Sequence, residues 1–282
     1  MSKERKKRPV NHILKKYCPR IEFDSYEDFF ENFRIDVPEA FNFGFDVVDE
    51  WARVEPEKRA LVWCDDHDDE RTFTFTDLMR LSNQAANAFS KLGIGKGDVV
   101  MMILRRRWEY WVCAVALCKL GATIIPATLQ LTSKDIAYRA NSAQVKMVVC
   151  VDDDYVCGQM EEALPESPSI ENRIIVAGER DGWTPFDQLI EGESGEFERP
   201  TGEGGVTSKD IMLIYFTSGT TGLAKAVCHN FAHPLGHIIT AKYWQQVEED
   251  ALHMSVTDSG WAKFGWGKIY GQWVCGAVIF CY

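Results

Sequence analysis

The sequence predicts an α/β fold in which parallel sheets are flanked by helices. Three observations carry this. Residues 99–104, and 145–151 apart from Lys146, are apolar without alternation, as strands buried on both faces are. Between such runs the apolar residues recur at helical spacing, as at Leu78, Leu81, Ala85, Phe89 and Leu92, so strand and helix alternate. The 282 residues are 46% hydrophobic and 26% charged, an ordinary globular composition with enough chain for a full core.

In chain order, residues 1–20 read as a basic tail, with eight Lys or Arg against Glu4 alone. Residues 26–54, rich in Phe, Asp and Glu, predict one or two surface helices, and 60–63 and 71–75 short strands. Thr76 is placed to cap the helix of the Leu78 series, which Gly93 stops. Lys96-Gly97-Asp98 then turns the chain into strand 99–104, followed by a helix over 108–120 and a strand over 123–125. Thr132-x-x-Asp135 has the form of a capping box opening a helix to Asn141. Strands over 145–151 and 174–177 complete a first subdomain, 21–177.

Residues 178–209 hold seven Gly and eight acidic residues without sustained periodicity, and predict a linker or surface excursion. A second subdomain, 210–282, opens with a strand over 211–217, a Ser/Thr/Gly loop, a strand over 226–228 and a helix from Pro234. It ends in a helix around 265–276 and a strand over 277–282. That apolar ending predicts a chain interrupted in mid-domain, its last strand presenting an edge that would self-associate.

Net charge is −11, and beyond residue 20 the chain carries 23 basic against 41 acidic residues. Such a body does not suit nucleic acid, whose phosphates demand clustered cations. The nine cysteines are never spaced C-x-x-C and mostly sit in apolar runs, which fits a reducing compartment without a zinc site. The longest apolar run, 273–282, is too short to span a membrane. Arg5-Lys6-Lys7-Arg8 lacks a following apolar stretch and the Ser-rich pattern of a transit peptide, so a cytoplasmic location is expected ahead of the mitochondrial matrix.

The chemistry concentrates in Tyr215-Phe216-Thr217-Ser218-Gly219-Thr220-Thr221-Gly222-Leu223-Ala224-Lys225. An apolar strand runs into four hydroxyls, two glycines and a lysine. Glycines let backbone approach a ligand, successive N–H groups make an anion-binding concavity, and hydroxyls and a mobile ammonium add donors. The reading is a polyphosphate loop. A Walker loop fails because Ala224 and Ala226 flank Lys225, and a hydrolase elbow fails because Gly-x-Ser-x-Gly is absent.

This string resembles the phosphate-binding signature of the adenylate-forming superfamily, which includes acyl-CoA synthetases, luciferases and peptide-synthetase adenylation domains. The match holds through Gly222 and at Lys225 and His229, and departs at Ala224, usually Pro, and Ala226, commonly Gly. Residues 127–135 are similar to a segment of medium-chain acyl-CoA synthetases, and Asp258-Ser259-Gly260-Trp261 to the family's following motif. The resemblance implies an N-terminal fragment of that fold, cut in its second sheet. It implies that Thr217, Ser218, Gly219, Thr220, Thr221, Gly222 and Lys225 bind ATP phosphates beside Mg²⁺, with Lys225 and Thr220 catalytic. It further implies that Gln130 approaches CoA and that Trp261 lines the acyl passage, with 266–273 beside the carboxylate.

The implied activity is ATP-dependent acyl-CoA synthesis from short- or medium-chain fatty acids, with little activity in this chain alone. The alternatives are a non-catalytic nucleotide- or partner-binding module and a ligase that loads a carrier protein. His229, His233 and His237 recur every four residues, but Pro234 should open a helix that leaves His229 outside it, so no metal stripe is expected. The acidic turn around His67 and Asp152-Asp153-Asp154 read as solvated, and Arg105-Arg106-Arg107 as a surface cluster ahead of a CoA-phosphate neighbour.

Overall fold

The computed structural model describes residues 11–217 and 223–282. Among the described residues, eleven strands form two sheets. They are β1 (Arg59–Cys64), β2 (Glu70–Thr74), β3 (Val99–Ile103), β4 (Thr123–Pro126), β5 (Val145–Val151), β6 (Asn172–Val176), β7 (Thr184–Pro185), β8 (Ile211–Thr217), β9 (Lys225–Asn230), β10 (Leu252–Met254) and β11 (Val278–Cys281). The helices are α1 (His12–Tyr17), α2 (Tyr26–Asn32), α3 (Glu50–Val54), α4 (Phe75–Lys91), α5 (Glu109–Leu120), α6 (Ser133–Ala143), α7 (Asp154–Ala163), α8 (Phe186–Ile190), α9 (His233–Gly236), α10 (Ala262–Lys268) and α11 (Tyr270–Val274).

The seven-stranded sheet runs β7-β6-β5-β3-β4-β8-β9, parallel except for the antiparallel β8–β9 hairpin. Its central strands β3, β4 and β5 are buried on both faces, as their largely apolar runs demand. Val100, Met102, Met147 and Val149 join the core with α4 and α5, while Met101, Ile103, Val148 and Cys150 join the core with α6 and α7. The four-stranded sheet, β10-β11-β1-β2, shares the first core through Leu61, Trp63, Phe73 and Ile279. Every residue of α5 is buried, Glu109 and Lys119 included, and the rest of its sequence is apolar on all sides. Indole N–H groups fasten the layers: Trp51 donates to Trp273 O (2.7 Å), Trp273 to Ala60 O (3.1 Å) and Trp111 to Lys268 O (3.0 Å).

The parallel α/β reading holds, and several details differ. Residues 11–20, expected in a tail, are docked: α1 buries Ile13, Leu14 and Tyr17, and Asn11 donates to Val274 O (3.0 Å). Arg5-Lys6-Lys7-Arg8 lies outside the described residues. The cap of α4 is Thr74, not Thr76, since Thr74 and Asp77 close the box and Phe75 is buried at the first helical position. The expected linker 178–209 contributes β7 and α8, and Asn83 and Asn87 stitch its later part to α4 through the carbonyls of Gly195, Ser194 and Glu196. Strands from the two expected subdomains also mix: β8 pairs with β4, and β11 lies between β10 and β1. The last strand therefore presents no free edge. The helix expected over 265–276 is two, broken at Ile269, where φ is −140° and ψ −77°. No helix among the described residues is long and apolar enough to cross a membrane.

Candidate functional site

β4 and β8 are parallel neighbours, and the Thr123 hydroxyl donates across them to Ile211 O (3.0 Å). Their carboxyl ends therefore open on one side, where ligands of α/β sheets collect. Residues 127–131 leave β4 there, and β8 delivers Thr217 to the same side. In the hairpin register Thr217 stands opposite Lys225, the first residue of β9, and both are exposed. Ser218, Gly219, Thr220, Thr221 and Gly222 lie outside the described residues. Lys225 makes no ion pair with a described residue, leaving its ammonium available.

Gly260 brings the Asp258–Trp261 motif onto the segment after β4. A Cβ at Gly260 would fall 2.3 Å from Thr128 N and 2.5 Å from Ala127 C, an approach open only to glycine. Its N–H donates to the Asp258 carboxylate (3.1 Å). Trp261 is 60% exposed, so it is not a core aromatic, and Gln130 is exposed with its N–H donating to the Thr128 hydroxyl (3.0 Å). The segments of Gln130 and Trp261 thus meet through the Gly260–Thr128 contact.

On the other side of the hairpin, the Tyr138 hydroxyl of α6 donates to Ala224 O (3.0 Å), and the Arg139 guanidinium lies 5.3 Å over the Phe216 ring. Neither residue stood out in sequence. Their signal was weak: an aromatic and a cation beside the apolar positions Ile136, Ala137 and Ala140 that face the core.

The three histidines form a row although they do not share a helix. His229 lies on β9, Pro234 sits in the first turn of α9, and the rings of His229 and His233 stand 4.2 Å apart. His233 Nε2 and His237 Nε2 are 3.0 Å apart. The Thr240 hydroxyl donates to His237 O (2.9 Å), so His237 Nδ1–H donates to that hydroxyl (3.2 Å) and its bare Nε2 accepts from His233. Tyr215 packs on His229, and Tyr270 on His233 and His237. Among the described residues no group of three His, Cys, Asp or Glu side chains is gathered to hold a metal.

Burial and the neighbouring imidazoles push His233 down to about 3, and burial and His229 push His237 down to about 4, from an ordinary 6.5. Because these values are depressed, the unfolded chain takes up the protons first. The stability that the neutral pair contributes is complete above pH 6.5 and is lost as pH falls toward 4 and 3. We expect urea unfolding to show a loss of about 3 kcal/mol between pH 7 and pH 5, reduced in a His233→Phe/His237→Phe variant. Identical pH slopes for the two proteins would refute this account of the row.

Residues 48–282 match the family described as AMP-binding enzyme. The chain is 34% identical over 253 residues to human acyl-coenzyme A synthetase ACSM4, mitochondrial, covering 86% of this chain and 42% of that protein. It is 31% identical over 270 residues to mouse acyl-coenzyme A synthetase ACSM3, mitochondrial, covering 92% and 45%. The crystal structure of the anthranilate CoA ligase AuaEII in complex with anthranoyl-AMP superposes with a TM-score of 0.77 at 21% identity, over 88% of this chain and 46% of that one, and shows a shared fold. The chain spans less than half the length of the curated relatives it matches.

Proposed function

Because the chain belongs to the AMP-binding enzyme family, we propose that it supplies the phosphate loop and the CoA-facing segment of an AMP-forming acid–thiol ligase. The substrates we infer are a short- or medium-chain fatty acid, ATP and CoA. The supporting observation is the arrangement at the carboxyl ends of β4 and β8, where an exposed lysine stands opposite Thr217 and the Gln130 and Trp261 segments touch.

In the proposed reaction the substrate carboxylate attacks the α-phosphorus of ATP and pyrophosphate departs. The CoA thiol then attacks the acyl carbon and AMP leaves. Both reactants of the first step are anionic, so the protein's task is charge neutralisation and alignment. Lys225 supplies the cation. Ser218, Thr220 and Thr221, with the hydroxyl of Thr217, supply donors to the β- and γ-phosphates. Gln130 faces CoA and Trp261 the acyl passage. Mg²⁺ would enter with the β- and γ-phosphates of ATP. The word mitochondrial in the names of both relatives favours a mitochondrial over a cytoplasmic location for this protein.

Carboxylate-dependent ATP–pyrophosphate exchange, with acetate, butyrate and octanoate in parallel, tests the assignment. Exchange above background with one acid supports adenylation and names the acyl length. Pyrophosphate binding without exchange restricts the chain to a phosphate site. Absence of both removes the proposal.

A further inference from the structure

We propose that Tyr138 is a positioning residue for Lys225, acting through the carbonyl of Ala224; the inference rests on the phosphate-binding reading of Lys225 given above. The β8–β9 ladder begins at the Thr217–Lys225 pair, so Ala224 lies just outside it. Among the described residues, the donor that reaches Ala224 O is the Tyr138 hydroxyl at 3.0 Å. Ala224 O and Lys225 N belong to one planar peptide group. Holding that oxygen fixes the plane from which Lys225 departs, and so the direction in which its four-carbon stem leaves the strand. Alanine has no ring to fix its own φ, and the restraint comes from outside the hairpin.

Tyr138 is suited to this because the element that carries it is fixed at both ends. The capping box of Thr132 and Asp135 closes the first turn of α6. Ser133 N donates to the Gln159 side chain of α7 (2.7 Å), and the Asn141 side chain donates to Glu166 O (2.7 Å). Ile136, Ala137 and Ala140 bury the inner face. The Tyr138 ring meets Phe216 of β8 edge-on at 6.3 Å, and Arg139 covers the same Phe216 ring while pairing with Asp135 (3.2 Å). Phenol, β8 and the start of β9 are thus clamped together. The Thr132 cap follows Gln130 by two residues, so one rigid element is joined both to the CoA-facing segment and to the peptide before the lysine.

Tyr138→Phe removes one hydroxyl and leaves the ring. Three quantities are compared with the parent protein: affinity for magnesium pyrophosphate, affinity for AMP, and hydrogen exchange at the amides of Leu223, Ala224 and Lys225. We expect pyrophosphate binding to weaken about fivefold, the worth of one hydrogen bond. AMP binding and Tm are expected to stay unchanged, and exchange at the three amides to quicken. Pyrophosphate and AMP weakening together with a lower Tm would make Tyr138 a packing residue and overturn the proposal. Weaker pyrophosphate binding without faster exchange would overturn the route through Ala224, as would no change in either. Faster exchange in a pair of proteins that both ignore pyrophosphate would keep Tyr138 as the anchor of the hairpin and overturn the phosphate assignment instead.

Discussion

In the full-length context, Lys225→Ala is expected to lower adenylate formation by about 10²-fold or more, the cost of losing one preorganised charged donor. Lys225 begins β9, is exposed and pairs with no described carboxylate, so among the described residues the mutation breaks no ion pair. Tm should therefore be unaffected while pyrophosphate exchange collapses. Lys225→Arg, which keeps the charge but replaces a compact ammonium with a planar fork, should recover part of the rate. Near-normal exchange in Lys225→Ala would remove this lysine from the mechanism.

The largest effect on stability is expected at Lys119, far from that chemistry. Its ammonium is buried on α5 and serves three acceptors from two other segments: the Asp49 carboxylate (2.7 Å), the Ser82 hydroxyl (3.0 Å) and the Asn83 amide oxygen (2.6 Å). Burial pushes the Lys119 pKa down and that of Asp49 up, which is the signature of charges held out of water. Lys119→Ala strands the carboxylate and both neutral acceptors, and should cost about 3–5 kcal/mol in urea unfolding. Lys119→Met/Asp49→Asn, which removes both charges and keeps the stem volume, should recover most of that. A loss within the range of a surface substitution would mean that water relaxes into the site.

Local chemistry was readable in the sequence, and long-range partnership was not. The β8 strand, its polar loop and Lys225 are contiguous, so their meaning survives without a fold. The box at Thr132 and Asp135 was read correctly, whereas at α4 two threonines compete and the Asp three residues after Thr74 decides. Gly265, Gly267 and Gly271 within one apolar run hinted at the interruption near Ile269. Nothing local announces that Tyr138 will meet a carbonyl 86 residues away, or that His229 on a strand will pack against a helical histidine. The mixing of the two expected subdomains has the same cause. Strand periodicity marks which residues are buried, but the identity of the neighbouring strand is encoded in distant surfaces.

The parallel pairing of β1 with β11 also sets a timetable. The Trp273 indole reaches Ala60 O across 213 residues of chain. At a synthesis rate of about 5–20 residues per second, β1 and β2 wait roughly 10–40 s on the ribosome before their partner is made. During that interval Leu61 and Trp63 lack the strand that will cover the edge of β1, while β3 to β6 assemble from segments close in sequence. Strands β3 to β6 are therefore the part able to fold as it emerges. The β1–β2 hairpin is the nascent segment that a chaperone would have most reason to hold.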